Sequence, residues 1–222
     1  MLTLLMLPVL LGLGSWQVQR LHWKEQLLAT IDKRIHDAPL EIPHVSAASA
    51  DYRPARAFGT FEHDKAFYIF ASDRVTGNGG YHVLTPLHLT SGEYLLVDRG
   101  WIPYEAKDNP KDYVKPEGPQ DIGGIMRMPQ KPGLMQPVNI PEKGYWYSID
   151  LPAMAAADGI DKFLPYILEI GTDQGQVGYP IGGQTRLMLP NNHLEYALTW
   201  FGFAAILLAV YVISSWQRND EE

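Results

Sequence analysis

From Asn191 to Trp216 the chain reads NNHLEYALTWFGFAAILLAVYVISSW, and no residue between Ala197 and Ile213 is charged. A helix rises about 1.5 Å per residue, so His193 to Trp216 can cover a hydrocarbon core of about 30 Å. The stretch therefore predicts a transmembrane helix over 191–216, and the rest of the chain must be arranged around a membrane crossing. Its start carries helix-opening signals: Pro190 precedes it, Asn192 suits the N-cap, and Glu195 stands where a capping box places its acid. Trp200 and Trp216 lie towards the two ends, where amphipathic rings favour the headgroup zone.

Residues 1–18, MLTLLMLPVLLGLGSWQV, are apolar and uncharged. They lack the basic n-region and small-residue cleavage site of a secretory signal. The expectation is a first transmembrane helix at 1–18, slightly short at about 18 residues; an uncleaved anchor is the alternative. Trp16, Arg20, Trp23, Leu27, Ile31 and Ile35 recur at three- and four-residue steps, which predicts an amphipathic continuation outside the membrane up to Pro39. The two tryptophans around Arg20, beside Lys24, read as an interfacial anchor, with packing favoured over a cation–π role for Arg20.

The stretch between, 19–190, has a different texture. Twenty glycines and seventeen prolines in the chain suit many turns and short strands better than a helical bundle. Residues 38–54 read as a loop. Strand signals follow at Ala55–Phe61, Lys65–Ala71, Tyr81–Leu89, Glu93–Trp101, Ile122–Met128, Tyr145–Ile149 and Phe163–Ile170, with a short helix at Leu151–Asp158. Ser91-Gly92 joins two of the strands as a hairpin, Gly77 to Gly80 is a tight turn, and Gly171–Gly183 is a glycine-rich loop. A sheet of this kind is best closed or covered. The expected fold is thus a membrane protein in which two terminal transmembrane helices enclose a mainly antiparallel β domain, barrel- or sandwich-like, with a tail at 217–222. Both chain termini would then lie on one side and the β domain on the other. Charge leaves the orientation open, because the tail sets Arg218 against Asp220, Glu221 and Glu222.

Net charge is −7 with no basic run, which argues against a nucleic-acid partner. With no cysteine there is no disulfide, thiolate metal site, Cys nucleophile or c-type haem attachment. G-x-S-x-G, H-E-x-x-H, P-loop and S-x-x-K patterns are absent from the sequence. Of seven scattered histidines, His82 and His88 share a strand and face one side if it is regular, and both suit structural roles. His193 is set apart as the first helical residue at the membrane surface. The positive end of the helix dipole favours neutral imidazole there, which can offer a lone pair to a metal. The alternative is an interfacial histidine hydrogen-bonded to water or backbone.

Four pieces recur together in order. Gly14-Ser15-Trp16-Gln17 stands with Arg20, Trp23 and Lys24; Gly80 to Leu87 reads GYHVLTPL; Val97 to Pro103 reads VDRGWIP; and Asn191 to Gly202 reads NNHLEYALTWFG. In this order and spacing, over nearly the whole chain, they resemble the surfeit locus protein 1 family, assembly factors of haem-copper terminal oxidases. The resemblance implies a non-enzymatic role: binding haem a as a transient cargo and helping its insertion into oxidase subunit I. It implies a bacterial inner membrane location with the 19–190 domain periplasmic and the tail cytoplasmic (the mitochondrial inner membrane in a eukaryote). Oxidase subunit I, membrane lipid and a haem a synthase are the implied partners.

The resemblance also makes His193 the iron ligand, with no second ligand named. Tyr196, Ala197 and Trp200 share or flank the face of His193, so the small Ala197 can admit a flat ring and Trp200 can stack on it; ordinary helix packing is the alternative. Arg99 can pair with a haem propionate, set against an ion pair with Asp98 or a hydrogen bond at a barrel end. Two other functions compete: a membrane scaffold that stabilises subunit I intermediates without haem, and a membrane-anchored periplasmic hydrolase, which the missing nucleophile motifs disfavour.

Overall fold

The structure is a computed structural model that describes residues 2–109, 113–171, 178–187 and 190–219. The chain forms two compact units, one of residues 1–32 with 187–222 and one of Lys33–Arg186.

The first unit is helical. Helix α1 runs from Leu2 to Ile35 as a single 34-residue helix, so residue 18 is not a break. Good helix formers (Gln, Leu, Lys, Glu, Ala) carry it onward, and Lys33 and Arg34 in the last turn complement its dipole. The last helix of the chain, His193–Asn219, begins on the residue that the sequence marks. Among the described residues one helix, His193–Gln217, is long and apolar enough to cross a membrane, and 11% of its most apolar window is buried. That coverage is too low for the core helix of a soluble fold. The amino-terminal helix does not meet the same measure of length and apolarity, so where two spans were expected there is one candidate span among the described residues.

The covered face of α1 includes Ile31 of the expected one, which is buried, but not its tryptophans. Trp16 and Trp23 are 54% and 46% exposed, whereas Gly14 and Gln17 are buried. Spacing of large side chains picks out the tryptophans, but close helix contact selects the smallest residue. A Cβ at Gly14 would lie 2.6 Å from the Phe201 ring. The Arg20 guanidinium instead sits 3.8 Å from the Trp23 ring centroid, a cation–π contact where packing was expected. Gly14→Val is expected to push Phe201 aside and loosen this helix contact by about 1–3 kcal/mol. Faster amide exchange over residues 13–18 in detergent would register it, and unchanged protection would show that the contact carries no such weight.

In the second unit the described strands are β1 (Leu40–Glu41), β2 (Pro54–Phe61), β3 (Phe67–Ser72), β4 (Gly79–Leu89), β5 (Tyr94–Pro103), β6 (Pro119–Arg127) and β7 (Phe163–Ile170), with short helices α2 (Ala47–Ala50) and α3 (Leu151–Ala157). Their order is β1-β2-β6-β7-β5-β4-β3, and β2 also pairs with β4. That extra pairing, Gly59–Phe61 against Leu87–Leu89, closes β2-β6-β7-β5-β4 into a ring. The sheet is mixed: β1–β2 and β5–β7 are parallel and the other pairs antiparallel. The parallel pair is compatible with chain direction because β6 and α3 intervene between β5 and β7.

Alternation sorts the side chains. Ala55, Ala57 and Phe61 of β2, Leu87 and Leu89 of β4, Leu95 and Val97 of β5, and Leu168 and Ile170 of β7 form one buried cluster inside the ring. Leu84, Leu96, Phe163 and Ile167 join a second cluster with Met154 and Leu151 of α3, which covers the other face. Asp150 caps α3 by accepting from the Ala153 N–H at 3.1 Å.

Two sequence expectations differ here. Tyr145–Ile149 is not a strand, and only single bridges form there, Ile140–Tyr145 and Ile69–Trp146. The 38–54 loop contains β1 and α2. Residues 172–177 of the glycine-rich loop, and Asp220 to Glu222 of the tail, lie outside the described residues.

Candidate functional site

The helical unit brings His193 onto a residue 176 positions away. Nδ1 of His193 lies 2.7 Å from the side-chain oxygen of Gln17. An amide oxygen only accepts, so Nδ1–H donates, and in the neutral ring the lone pair is then on Nε2. Gln17 is buried and His193 half-buried. Along the helix that His193 opens, Ala197 and Ala204 are buried and Trp200 is half-buried. The steps of four and seven from His193 put Ala197 and Trp200 on its side of the helix. Tyr196 is 56% exposed and points elsewhere. Trp200 makes an edge contact with Phe203, ring centroids 6.3 Å apart. What sequence reading missed is the pairing with Gln17. Its signal was a lone amide inside an otherwise apolar, uncharged segment, within the quoted G-x-W-Q pattern.

Arg99 belongs to the β-rich unit and is 2% exposed. Between Leu84–Asp98 and His82–Trp101, β5 advances three residues where β4 advances two, so Arg99 and Gly100 form a bulge. The bulge turns the Arg99 guanidinium onto the Val114 carbonyl, to which it donates, near the Phe61 ring (5.3 Å) and His63 Nδ1 (3.3 Å). Burial pushes its pKa down to about 10, against the pull of Tyr113 and Tyr68. Of the alternatives open in sequence, the structure forms the hydrogen bond in the barrel rather than an ion pair with Asp98.

Asp98 pairs instead with His82, whose Nδ1 lies 2.5 Å from its carboxylate, while the other carboxylate oxygen accepts from the Gly100 N–H at 2.9 Å. Burial disfavours the His82 imidazolium, but the Asp98 carboxylate outweighs it, and the pKa rises above its ordinary value. Burial, followed by Asp98, pushes the Glu169 carboxyl up as well. His88 is exposed and stacks on Tyr94, centroids 4.7 Å apart. A raised histidine pKa stabilises the fold fully below the ordinary histidine range and loses that contribution as pH rises through the folded value. Stability should therefore fall as pH rises from the ordinary histidine range through the raised folded value of His82. The raised Glu169 carboxyl acts in the same sense: it favours the fold at acid pH, and that contribution is lost as pH rises through its folded value. His82→Asn should flatten the alkaline part, read as denaturation midpoints across pH; parallel curves for both proteins would remove His82 as the titrating group.

Among the described residues no group of three or more His, Asp or Glu side chains can hold a metal ion. A group that takes a single protein nitrogen would find one in Nε2 of a neutral His193. Fold and site together describe a small closed-barrel protein carrying an apolar, span-length helix that opens on an oriented imidazole. The chain belongs to the SURF1 family, whose sequence profile matches residues 4–205. It is similar to Surfeit locus protein 1 of Mus musculus, 36% identical over 221 residues that make up 91% of this chain and 71% of that protein. The Homo sapiens protein of the same name is 35% identical over 222 residues, 91% of this chain and 73% of its own length. That of Takifugu rubripes is 32% identical, with 91% of each chain covered.

Proposed function

We propose that this chain is an assembly factor for a haem-copper terminal oxidase that takes haem a as cargo on His193 and helps its insertion into oxidase subunit I. Membership of the SURF1 family, known for oxidase assembly factors, supports the broader role. One observation carries the finer one: His193 stands at the first turn of the span-length helix with Nδ1 engaged by Gln17, so Nε2 holds a free lone pair. Neutral imidazole is an ordinary ligand for haem iron. Trp200, two turns on and half-buried, is an aromatic ring on which a macrocycle can stack, whereas the space at Ala197 is already covered by protein. A single protein ligand suits a carrier that must release its cargo. Arg99 has no part in this reading, because it belongs to the β-rich unit and its guanidinium is already committed to Val114. We assign the His193–Gln217 helix, and with it the uncharged first half of α1, to a bacterial inner membrane, and Lys33–Arg186 to the periplasmic side. Oxidase subunit I, membrane lipid and a haem a synthase are the proposed partners.

The second reading is a scaffold that grips subunit I without haem. Leu134, Met135 and Val138 favour it, since they are 104%, 96% and 83% exposed on the β-rich unit and present apolar side chains to a partner. The visible spectrum of the purified full chain, co-expressed with haem a synthesis, separates the two. A stoichiometric haem a band is expected. A folded protein without haem, in cells that make haem a, would overturn delivery and leave the scaffold.

A further inference from the structure

We propose that Gln17 is the positioning residue for His193: its side-chain oxygen holds the imidazole in the Nδ1–H tautomer and so selects Nε2 as the atom presented to iron. The inference rests on the reading of His193 as a ligand but is tested apart from it.

Three observations carry it. The first is chemical. At 2.7 Å the Nδ1···oxygen pair is a full-strength hydrogen bond, and a carbonyl oxygen there requires a proton on Nδ1. An unrestrained histidine favours the other tautomer, with the proton on Nε2, which blocks the outward nitrogen.

The second is energetic. Gln17 is 9% exposed, in a helix segment whose neighbouring residues Gly14, Val18 and Leu21 are apolar. Burying an amide without a partner costs about 1–3 kcal/mol, so this side chain is tolerable only while its partner is in place. A leucine would fill the same space at no such cost, so packing alone does not call for a glutamine.

The third is geometric. Gly14 and Gln17 are one turn apart on α1 and so lie on the same side of it. A Cβ on Gly14 would overlap the Phe201 ring, and Phe201 stands on the same helix as His193. The missing side chain at position 14 lets the two helices approach until an amide on one reaches the ring on the other. Partners of this kind orient a ligating histidine and raise its basicity, and their loss usually weakens metal binding about 10–100-fold.

The test uses the haem-free full chain, labelled with 15N-histidine, in detergent at a pH where imidazole is neutral. The His193 signals are assigned by their loss in His193→Ala. In the wild type Nδ1 should carry the proton and Nε2 the lone pair. Gln17→Leu, which keeps bulk and apolar packing, should shift the ring towards the Nε2–H tautomer. Gln17→Glu, which still accepts from Nδ1–H, should restore the wild-type pattern. Circular dichroism confirms helix content in each variant. With haem a added, Gln17→Leu should bind about 10–100-fold more weakly, and Gln17→Glu should lower the iron midpoint potential. A wild-type His193 protonated on Nε2, or a tautomer indifferent to Gln17→Leu, overturns the inference even if haem binds. The expected nitrogen pattern without haem uptake upholds Gln17 as the positioning residue and overturns the cargo reading instead.

Discussion

If His193 holds haem a as proposed, His193→Ala is expected to lose about 100-fold or more in affinity for it while the protein keeps its helix content. Removing a partner of a ligating histidine costs about 10–100-fold, and removing the ligand itself exceeds that. The side chains on its own face of the helix, and its partner on α1, cannot replace it. Ala197 and Ala204 have no donor atom, Trp200 donates only through its indole N–H, and Gln17 offers an amide that iron accepts poorly. The substitution is mild for the fold, because His193 stands at the helix start, half-buried, and alanine is a good helix former. The one structural consequence is a buried Gln17 oxygen left without its donor, worth about 1–3 kcal/mol. Titration of the purified variant with haem a, followed in the visible band, reads the loss. Added imidazole should restore part of the band by filling the vacated position. Wild-type affinity in the variant would remove His193 from the site.

Gly100→Val unfolds the β-rich unit or leaves it marginal. Gly100 sits at φ +118, a region that L side chains rarely adopt. A Cβ there would overlap the carbonyl group of Ile181, which accepts from the Trp101 N–H at 3.0 Å while the Ile181 N–H donates back to Trp101 at 2.8 Å. Three losses coincide. Backbone strain costs about 1–3 kcal/mol, overpacking costs about 1–3 kcal/mol, and the paired bridge opens. The loss, about 3–5 kcal/mol, is a large part of the 5–15 kcal/mol that stabilises an ordinary domain. Gly92→Val supplies the control, because Gly92 has φ +91 but nothing within 4 Å of its added Cβ. It should cost about 1–3 kcal/mol from strain alone. The difference between the two denaturation midpoints then measures the clash at Ile181, and equal midpoints would refute it. A second consequence is local. The bulge at Arg99–Gly100 aims Arg99 and holds Asp98 against the Gly100 N–H, so a destabilised bulge also loosens the His82–Asp98 pair.

Much of this architecture was legible before any coordinates. The uncharged run after His193 marked a span-length helix, and its first residue is the one observed. The hairpin through Ser91-Gly92, the strand at Phe163–Ile170 and the short helix opening at Leu151 stand where turn residues and alternation placed them. These are local signals, carried by residues a few positions apart. The expectations that failed drew on patterns whose outcome depends on distant partners. Trp16 and Trp23 have helical spacing, yet the contact face of α1 is set by Gly14 because Phe201 needs the space. Tyr145–Ile149 is aromatic enough for a strand, yet only single bridges reach it. The Arg99 setting was equally hidden, because the bulge that buries it is a mismatch between two strands rather than a property of either.

The sequence by itself determined most of the element types, the apolar helix, the absence of thiol chemistry and the position of His193, since composition and short-range periodicity are written in neighbouring residues. Its motif order also pointed to the family to which the chain belongs. Only the tertiary structure decided that β2 meets β4 to close the sheet, that β5 and β7 run parallel, and that His193 meets Gln17 from 176 residues away. Those outcomes depend on which surfaces meet once the chain is folded. Hydrogen-bonding capacity is the same for every strand edge and every buried amide, so it takes the packed arrangement to decide which partner satisfies it.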